Sequence, residues 1–210
     1  KHDFKHSADA LLQTIAAQFG YPYFVKPANM GSSVGVHKVK SAADAKAKLE
    51  NAFMYDTKVL IEKAINAREL ECAVLGNHDP KASIVGEIIP NHEFYTYEAK
   101  YMDDNGADLK IPAQGLSQET MDEIRRISVE AFKALECRGL ARVDFFYDKD
   151  TKKVYLNEIN TMPGFTPISM YPKLWEATGI SYSNLLDNLI ELALEAHREK
   201  NSLSTTFEPA

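Results

Sequence analysis

The amino-acid sequence predicts an α+β protein with mainly antiparallel sheets, divided into two lobes. Three observations predict it. Apolar segments of strand length come as hairpin-like pairs with helix patterns between them, and no regular strand–helix–strand alternation of a doubly wound fold runs through the chain. The 210 residues are 45% hydrophobic and 26% charged, enough apolar material for one large core or two small ones, and too much for a disordered chain. A break in the pattern near residues 64–68 separates a first lobe, 1–67, from a second, 68–200, with 201–210 a frayed tail.

The elements follow in order. Ser7 is placed to cap a short helix to Ala17, with Leu11, Leu12, Ile15 and Ala16 on one side and Gly20 ending it. Tyr23–Pro27 reads as a strand, and a polar loop through Gly35 leads to a short strand ending at Val39. Ser41 caps a helix to about Ala52, and Lys58–Glu62, Arg68–Leu75 and Ala82–Ile89 are strands. Residues 91–115 are rich in Tyr, Asp, Asn and Gly without a sustained period, and read as a functional lid loop. Ser117 caps a long amphipathic helix to about Leu135. Strands Gly139–Tyr147 and Lys153–Ile159 are joined by a tight turn at 148–151. Thr161–Pro172 is an irregular Pro/Gly loop. A final helix from about Tyr182 to His197 turns Leu185, Leu186, Leu189, Ile190 and Leu192 or Ala193 toward the core.

Composition excludes several classes. The net charge of −6 gives no footprint for nucleic acid. No apolar run approaches the roughly 18 residues of a membrane span, and the polar start Lys1–His6 is no secretory signal. Cys72 and Cys137 sit apart in apolar segments and read as buried thiols of a cytosolic protein.

Six segments carry residues suited to chemistry. In Gly31-Ser32-Ser33-Val34-Gly35, two glycines and two hydroxyls allow backbone N–H groups to close on a phosphate; an ordinary hairpin turn is the plain alternative. Lys26, just before that loop, is either a solvated edge lysine or a phosphate ligand. The strand end with Glu62, Lys63 and Ile65, followed by Glu69, offers an edge for an adenine and a carboxylate for ribose hydroxyls; surface carboxylates are the default. Arg142 and Asp144 lie two apart in one apolar strand, as do Glu158 and Asn160 in the next, so each pair shares a face. If the strands pair, the four side chains form one polar patch, whose two carboxylates and amide are hard oxygen ligands of the type Mg²⁺ takes; a solvated face with an Arg–Asp pair is the alternative. Thr161–Met170, directly after, can bring the Gly164 N–H close to a ligand beside a metal. The loop Tyr97-Glu98-Ala99-Lys100-Tyr101 could close a lysine on a terminal phosphate.

Taken together and in this order, the strings Phe24–Pro27, Gly31–Gly35, Leu60–Lys63, Arg68–Glu71, Tyr97–Tyr101, Ala141–Asp144 and Asn157–Thr166 resemble the ATP-grasp superfamily, and within it the D-alanine–D-alanine ligases, over roughly residues 20–198. The resemblance implies an ATP-grasp fold with ATP between two antiparallel sheets. It implies that Lys26 and Lys100 hold phosphates, that Glu62, Lys63 and Ile65 line the adenine edge, and that Glu69 takes the ribose. It further implies that Asp144, Glu158 and Asn160 hold two Mg²⁺ (or Mn²⁺) ions. The carboxylate of one D-alanine would become an acyl phosphate, attacked by the amine of a second, in cytoplasmic synthesis of a peptidoglycan precursor by a homodimeric parent. Arg142 and the Gly164 N–H would stabilise the tetrahedral intermediate, Ser169 and Met170 would meet the second substrate's carboxylate, and Ser32 would hydrogen-bond Tyr101. A lid tyrosine goes with D-alanine as second substrate, and phenylalanine or histidine with D-lactate. Members of the family carry a further N-terminal domain that nothing here matches, so the sequence reads as a fragment that binds ATP but turns over little alone. A D-alanine–D-lactate ligase, another carboxylate–amine ligase, or a nucleotide-binding module without activity are the alternatives.

Overall fold

A computed structural model describes residues 1–90, 107–166 and 168–206. The chain divides into two compact units, Lys1–Asn66 with Pro90–Asp108, and Ala67–Ile89 with Leu109–Ala210.

The first unit is a helix-backed sheet. Helix α1 (His2–Phe19) precedes strand β1 (Tyr23–Pro27), β2 (His37–Val39), helix α2 (Ala42–Tyr55) and β3 (Val59–Lys63). The strands pair antiparallel in the order β2-β1-β3. Alternation along β1 buries Tyr23, Val25 and Pro27. With Val39, Tyr23 and Val25 meet Phe4, Ala45, Leu49 and Ala52 from the helices. The opposite face therefore carries Phe24 and Lys26 beside Leu60 and Glu62. Ser41 and Asp44 form a capping box that starts α2.

The second unit is built on a five-stranded sheet. Its elements are β4 (Ala67–Gly76), β5 (Lys81–Pro90), β6 (Ala107–Lys110), α3 (Gln118–Ala134), β7 (Gly139–Asp148), β8 (Val154–Asn160), α4 (Met170–Thr178) and α5 (Tyr182–Asn201). The order is β6-β5-β4-β7-β8, with β4 antiparallel to β5 and β7, and β7 to β8. One face buries Leu70, Cys72, Val74, Val85, Ala141, Val143 and Phe145 against Ile124 and Phe132 of α3. On the other face, α4 and α5 pack Met170, Tyr171, Leu174, Trp175 and Leu185 over Ala73, Leu75 and Leu140, and over Ile84 and Ile88 of β5 and Leu109 of β6. Tyr171 Oη donates to the Val74 carbonyl at 2.9 Å. Gly86 permits this packing, because a Cβ there would stand 2.6 Å from Met170 Cε and 2.8 Å from Leu174 Cδ2. The same face carries Glu71, Arg142, Asp144, Glu158 and Asn160 on β4, β7 and β8.

Several expectations are corrected. The first helix starts at His2 rather than after Ser7; Ser7 instead sits at a kink with φ −144° and ψ 38°. Within 91–115, β6 forms at 107–110. The loop expected to run to Pro172 ends at Ser169, where α4 begins. Proline is tolerated in the first turn because its missing N–H has no partner to lose there. On α5, Leu185, Leu189 and Leu192 face the core, while Leu186 and Ile190 are 40% and 59% exposed, since each lies about 100° further round the helix. Cys72 is buried, but Cys137 is only partly so. Among the described residues, no helix is long and apolar enough to cross a membrane.

Candidate functional site

The strand pair β7–β8 brings together the four residues singled out in the sequence. Arg142 pairs across the ladder with Asn160, and Asp144 with Glu158, so all four lie on one sheet face in two adjacent rows. On the other side of β7, Ala73 faces Arg142 and Glu71 faces Asp144. One row is thus Glu71–Asp144–Glu158, three carboxylates on three neighbouring strands, and the next is Ala73–Arg142–Asn160. A bulge sets this register: it shifts between Asp144 and Phe145, leaving Asn157 as an extra residue on β8 beside Glu158.

Arg142 is the cation of the patch. Its Nε and Nη2 each donate to Asp144 at 2.7 Å, a two-point grip. Its Nε also lies 3.1 Å from Glu71 Oε2. Burial works against the guanidinium charge, but the hydrogen bonds and charge of Asp144 and the charges of Glu71 and Glu158 outweigh it, so Arg142 stays protonated. Glu71 was not singled out from the sequence. The signal was there in its spacing, two residues after Glu69 on a strand whose alternate positions are apolar.

The loop after β8 is fastened to the same patch. Asn160 Oδ1 accepts from the Met162 N–H at 3.1 Å, and its second lone pair keeps it competent as a ligand. Ser169 Oγ takes the Thr166 N–H at 3.0 Å and lies 2.8 Å from Thr166 Oγ1. Ser169, engaged there, makes no side-chain cap hydrogen bond on α4. A Cβ on Gly164 would come within 2.8 Å of Ser169 Oγ, which explains glycine at that position. The Met170 side chain belongs to the core against Gly86.

In the first unit, Lys26 Nζ lies 2.6 Å from Glu62 Oε1. In the loop that follows, Val34 N–H bonds the Gly31 carbonyl at 3.1 Å across Ser32 and Ser33, whose φ values are 52° and 60°. Two serines in the left-handed region make a type I′ turn, a conformation serine adopts only when its surroundings impose it. Gly35 also has positive φ, and a Cβ there would meet Tyr55 Cδ2 at 2.6 Å. Asp56 Oδ2 ties down the loop's start by accepting from the Asn29 N–H at 2.8 Å and its amide at 2.9 Å. Lys63 is exposed and Ile65 half-buried at the end of β3 and just beyond it. On the second unit Glu69 pairs with Phe146 and Ile88. The adjacent Arg68 is gripped by Glu87 through two 2.6 Å bonds. Lys100 and Tyr101 lie outside the described residues.

Comparison with known proteins decides the family. Residues 1–191 match the family described as D-ala D-ala ligase C-terminus. The chain belongs to this D-Ala–D-Ala ligase family. It is 55% identical over 208 residues to a D-alanine–D-alanine ligase of Caldicellulosiruptor bescii, covering 99% of this chain and 57% of that protein. It is 58% identical over 191 residues to one of Acetivibrio thermocellus, covering 91% and 50%. The fold matches a solved D-alanine–D-alanine ligase of Coxiella burnetii with a TM-score of 0.80 at 41% identity, over 93% of this chain and 51% of that one. It also matches the VanG D-Ala:D-Ser ligase of Enterococcus faecalis, with a TM-score of 0.78 at 38% identity over 89% and 54%. The architecture of the D-Ala–D-Ala ligase family, and hence of this chain, is the ATP-grasp fold. The chain spans about half the length of the relatives it matches.

The donor set fits a divalent cation. Asp144, Glu158 and Asn160 offer hard oxygens, and three carboxylates against one arginine leave excess negative charge in the row. Among the described residues, the one set of three His, Cys, Asp or Glu whose ligand atoms all lie within 4.8 Å of one another is elsewhere, at His78, Glu195 and Glu199. It is largely exposed, and Arg138 donates to Glu199 at 2.7 Å.

Proposed function

We propose that this chain is the nucleotide- and metal-binding part of an ATP-dependent ligase that joins two D-alanines in peptidoglycan precursor synthesis. The observation that supports it most is the carboxylate row Glu71–Asp144–Glu158 beside Arg142 and Asn160, in a chain of this family. Lys26 and, in the segment outside the described residues, Lys100 hold the phosphates of ATP. Glu62, Lys63 and Ile65 contact the adenine, Glu69 the ribose hydroxyls. The N–H groups of the Ser32–Ser33 turn close on phosphate oxygens, and the Ser32 hydroxyl meets Tyr101. Asp144, Glu158 and Asn160 would hold two Mg²⁺ or Mn²⁺ ions, whose chemistry there would be to neutralise phosphate charge.

One D-alanine carboxylate attacks the γ-phosphorus and ADP leaves. The amine of the second D-alanine then attacks the acyl carbon, and phosphate departs. Arg142 and the Gly164 N–H stabilise the oxyanion between these events, while Ser169 and the Met170 N–H at the start of α4 fix the second carboxylate. Two free thiols and ATP as co-substrate favour the cytoplasm. Because half of the relatives' length lies elsewhere, the chain alone should bind nucleotide with little turnover.

The test is a pair of substitutions in the full-length protein. Glu158→Gln should weaken metal-dependent ATP binding and cut turnover. Arg142→Ala should spare binding and cost on the order of 10²-fold in rate, as loss of an oxyanion donor does. An Arg142→Ala variant that lost nucleotide binding but kept its rate per bound ATP would contradict the role given to Arg142.

A further inference from the structure

We infer that Glu71 is a positioning residue, the standing partner that keeps the Arg142 guanidinium aimed when Asp144 turns to a divalent cation. The inference rests on the reading that Asp144 is a metal ligand. Both oxygens of Asp144 are held by Arg142 at 2.7 Å. Each oxygen keeps a further lone pair for a cation, but a cation bound there draws on the same negative charge and weakens the hold of Asp144 on Arg142. The Arg142 side chain is only 20% exposed, and a charge at that depth is costly without a counter-charge.

Glu71 is built to supply that counter-charge. Its side chain is 7% exposed, and its Oε2 is 3.1 Å from Arg142 Nε. The small Ala73, directly across from Arg142, leaves the guanidinium room to lie toward β4, where Glu71 is its diagonal neighbour. Glu71 is poorly placed to share a cation with Glu158, because β7 stands between their strands and two strand spacings amount to roughly 9–10 Å. Glu71 therefore faces the arginine and Glu158 the metal side of Asp144.

The test uses Glu71→Gln in the full-length protein, with Mn²⁺ affinity in the presence of a non-hydrolysable ATP analogue measured by calorimetry beside steady-state kinetics. Mn²⁺ affinity is expected to stay at the wild-type value while kcat falls by roughly tenfold or more, the size of effect usual for a group that orients a functional side chain. In an Arg142→Ala background, Glu71→Gln should cause no further loss. A drop in Mn²⁺ affinity as large as that of Glu158→Gln would make Glu71 a ligand and overturn the inference. So would an unchanged kcat, or a loss that multiplies fully with that of Arg142→Ala. An independent measurement needs no variant: the Arg142 Nε–Hε NMR signal of the wild-type protein should keep its hydrogen-bonded position when Mg²⁺ and the analogue are added. A shift to a solvent-exposed position would overturn it. If Asp144→Asn left Mn²⁺ affinity unchanged, the metal reading itself would fall, a result distinct from an additive Glu71–Arg142 pair.

Discussion

At Arg142 two demands meet, to stay charged in a largely buried place and to remain available to a substrate oxyanion. Three carboxylates satisfy the first, and for the second the Arg142 side chain keeps 20% of its surface exposed, in the row it shares with Ala73 and Asn160. Gly164 works under a similar constraint, since its missing Cβ is what lets Ser169 Oγ approach. Gly164→Ala is therefore expected to displace the Ser169 hydroxyl and lower turnover by about 10²-fold, the cost of a misplacement near 1 Å, with an unchanged circular dichroism spectrum. Wild-type kinetics in that variant would refute the close-approach argument. Arg142, Asp144, Glu158 and Asn160 were legible in the sequence because each interrupts an apolar alternation. Glu71 was not, because its meaning comes from Asp144 on a neighbouring strand 73 positions away, and register is invisible without pairing.

Among the elements, the turn at Ser32–Ser33 depends on what fastens its ends. Asp56 is one fastening. Accepting hydrogen bonds from the Lys58, Asn29 and Thr57 N–H groups and the Asn29 amide lowers its pKa from 3.8 to about 2. A carboxyl depressed in the folded state contributes stability above its unfolded pKa, and loses that contribution as pH falls through its folded value. Urea midpoints of the wild type should thus fall more steeply between pH 3.8 and about 2 than those of Asp56→Asn, which should be less stable at neutral pH. Parallel pH profiles would show that Asp56 does not hold the loop. Helix α4 shows where element-level reading stops. Two prolines and a glycine before Met170, with Pro172 after it, read as a loop, yet the Ser169 start and the first-turn tolerance for proline are compatible with a helix. What decides is tertiary: Met170 and Leu174 fit over Gly86. Strand β6 escaped notice because its alternation, Ala-Asp-Leu-Lys, is only four residues long and stands in a polar stretch without a sustained period.

Each unit covers one sheet face with helices, and the charged residues singled out above lie on the other. Strand pairs and helix faces announce that plan through alternation and 3.6-residue spacing. The partial covering by α4 and α5 does not, since it depends on long-range packing. Phe132, fully buried where α3 meets the sheet, should carry much of the second unit's stability. Phe132→Ala is expected to cost about 3–5 kcal/mol in urea unfolding; a change within error would mean that the site does not depend on that core as drawn. In the proposed function, the Asp144–Glu158 pair and Asn160 form a cation site facing a nucleotide. Its most direct test is anomalous diffraction from crystals of the chain grown with Mn²⁺ and a non-hydrolysable ATP analogue. Mn²⁺ peaks are expected in coordination contact with Asp144, Glu158 and Asn160 and with phosphate oxygens. Bound nucleotide with no peak there, or Mn²⁺ only at His78, Glu195 and Glu199, would contradict it.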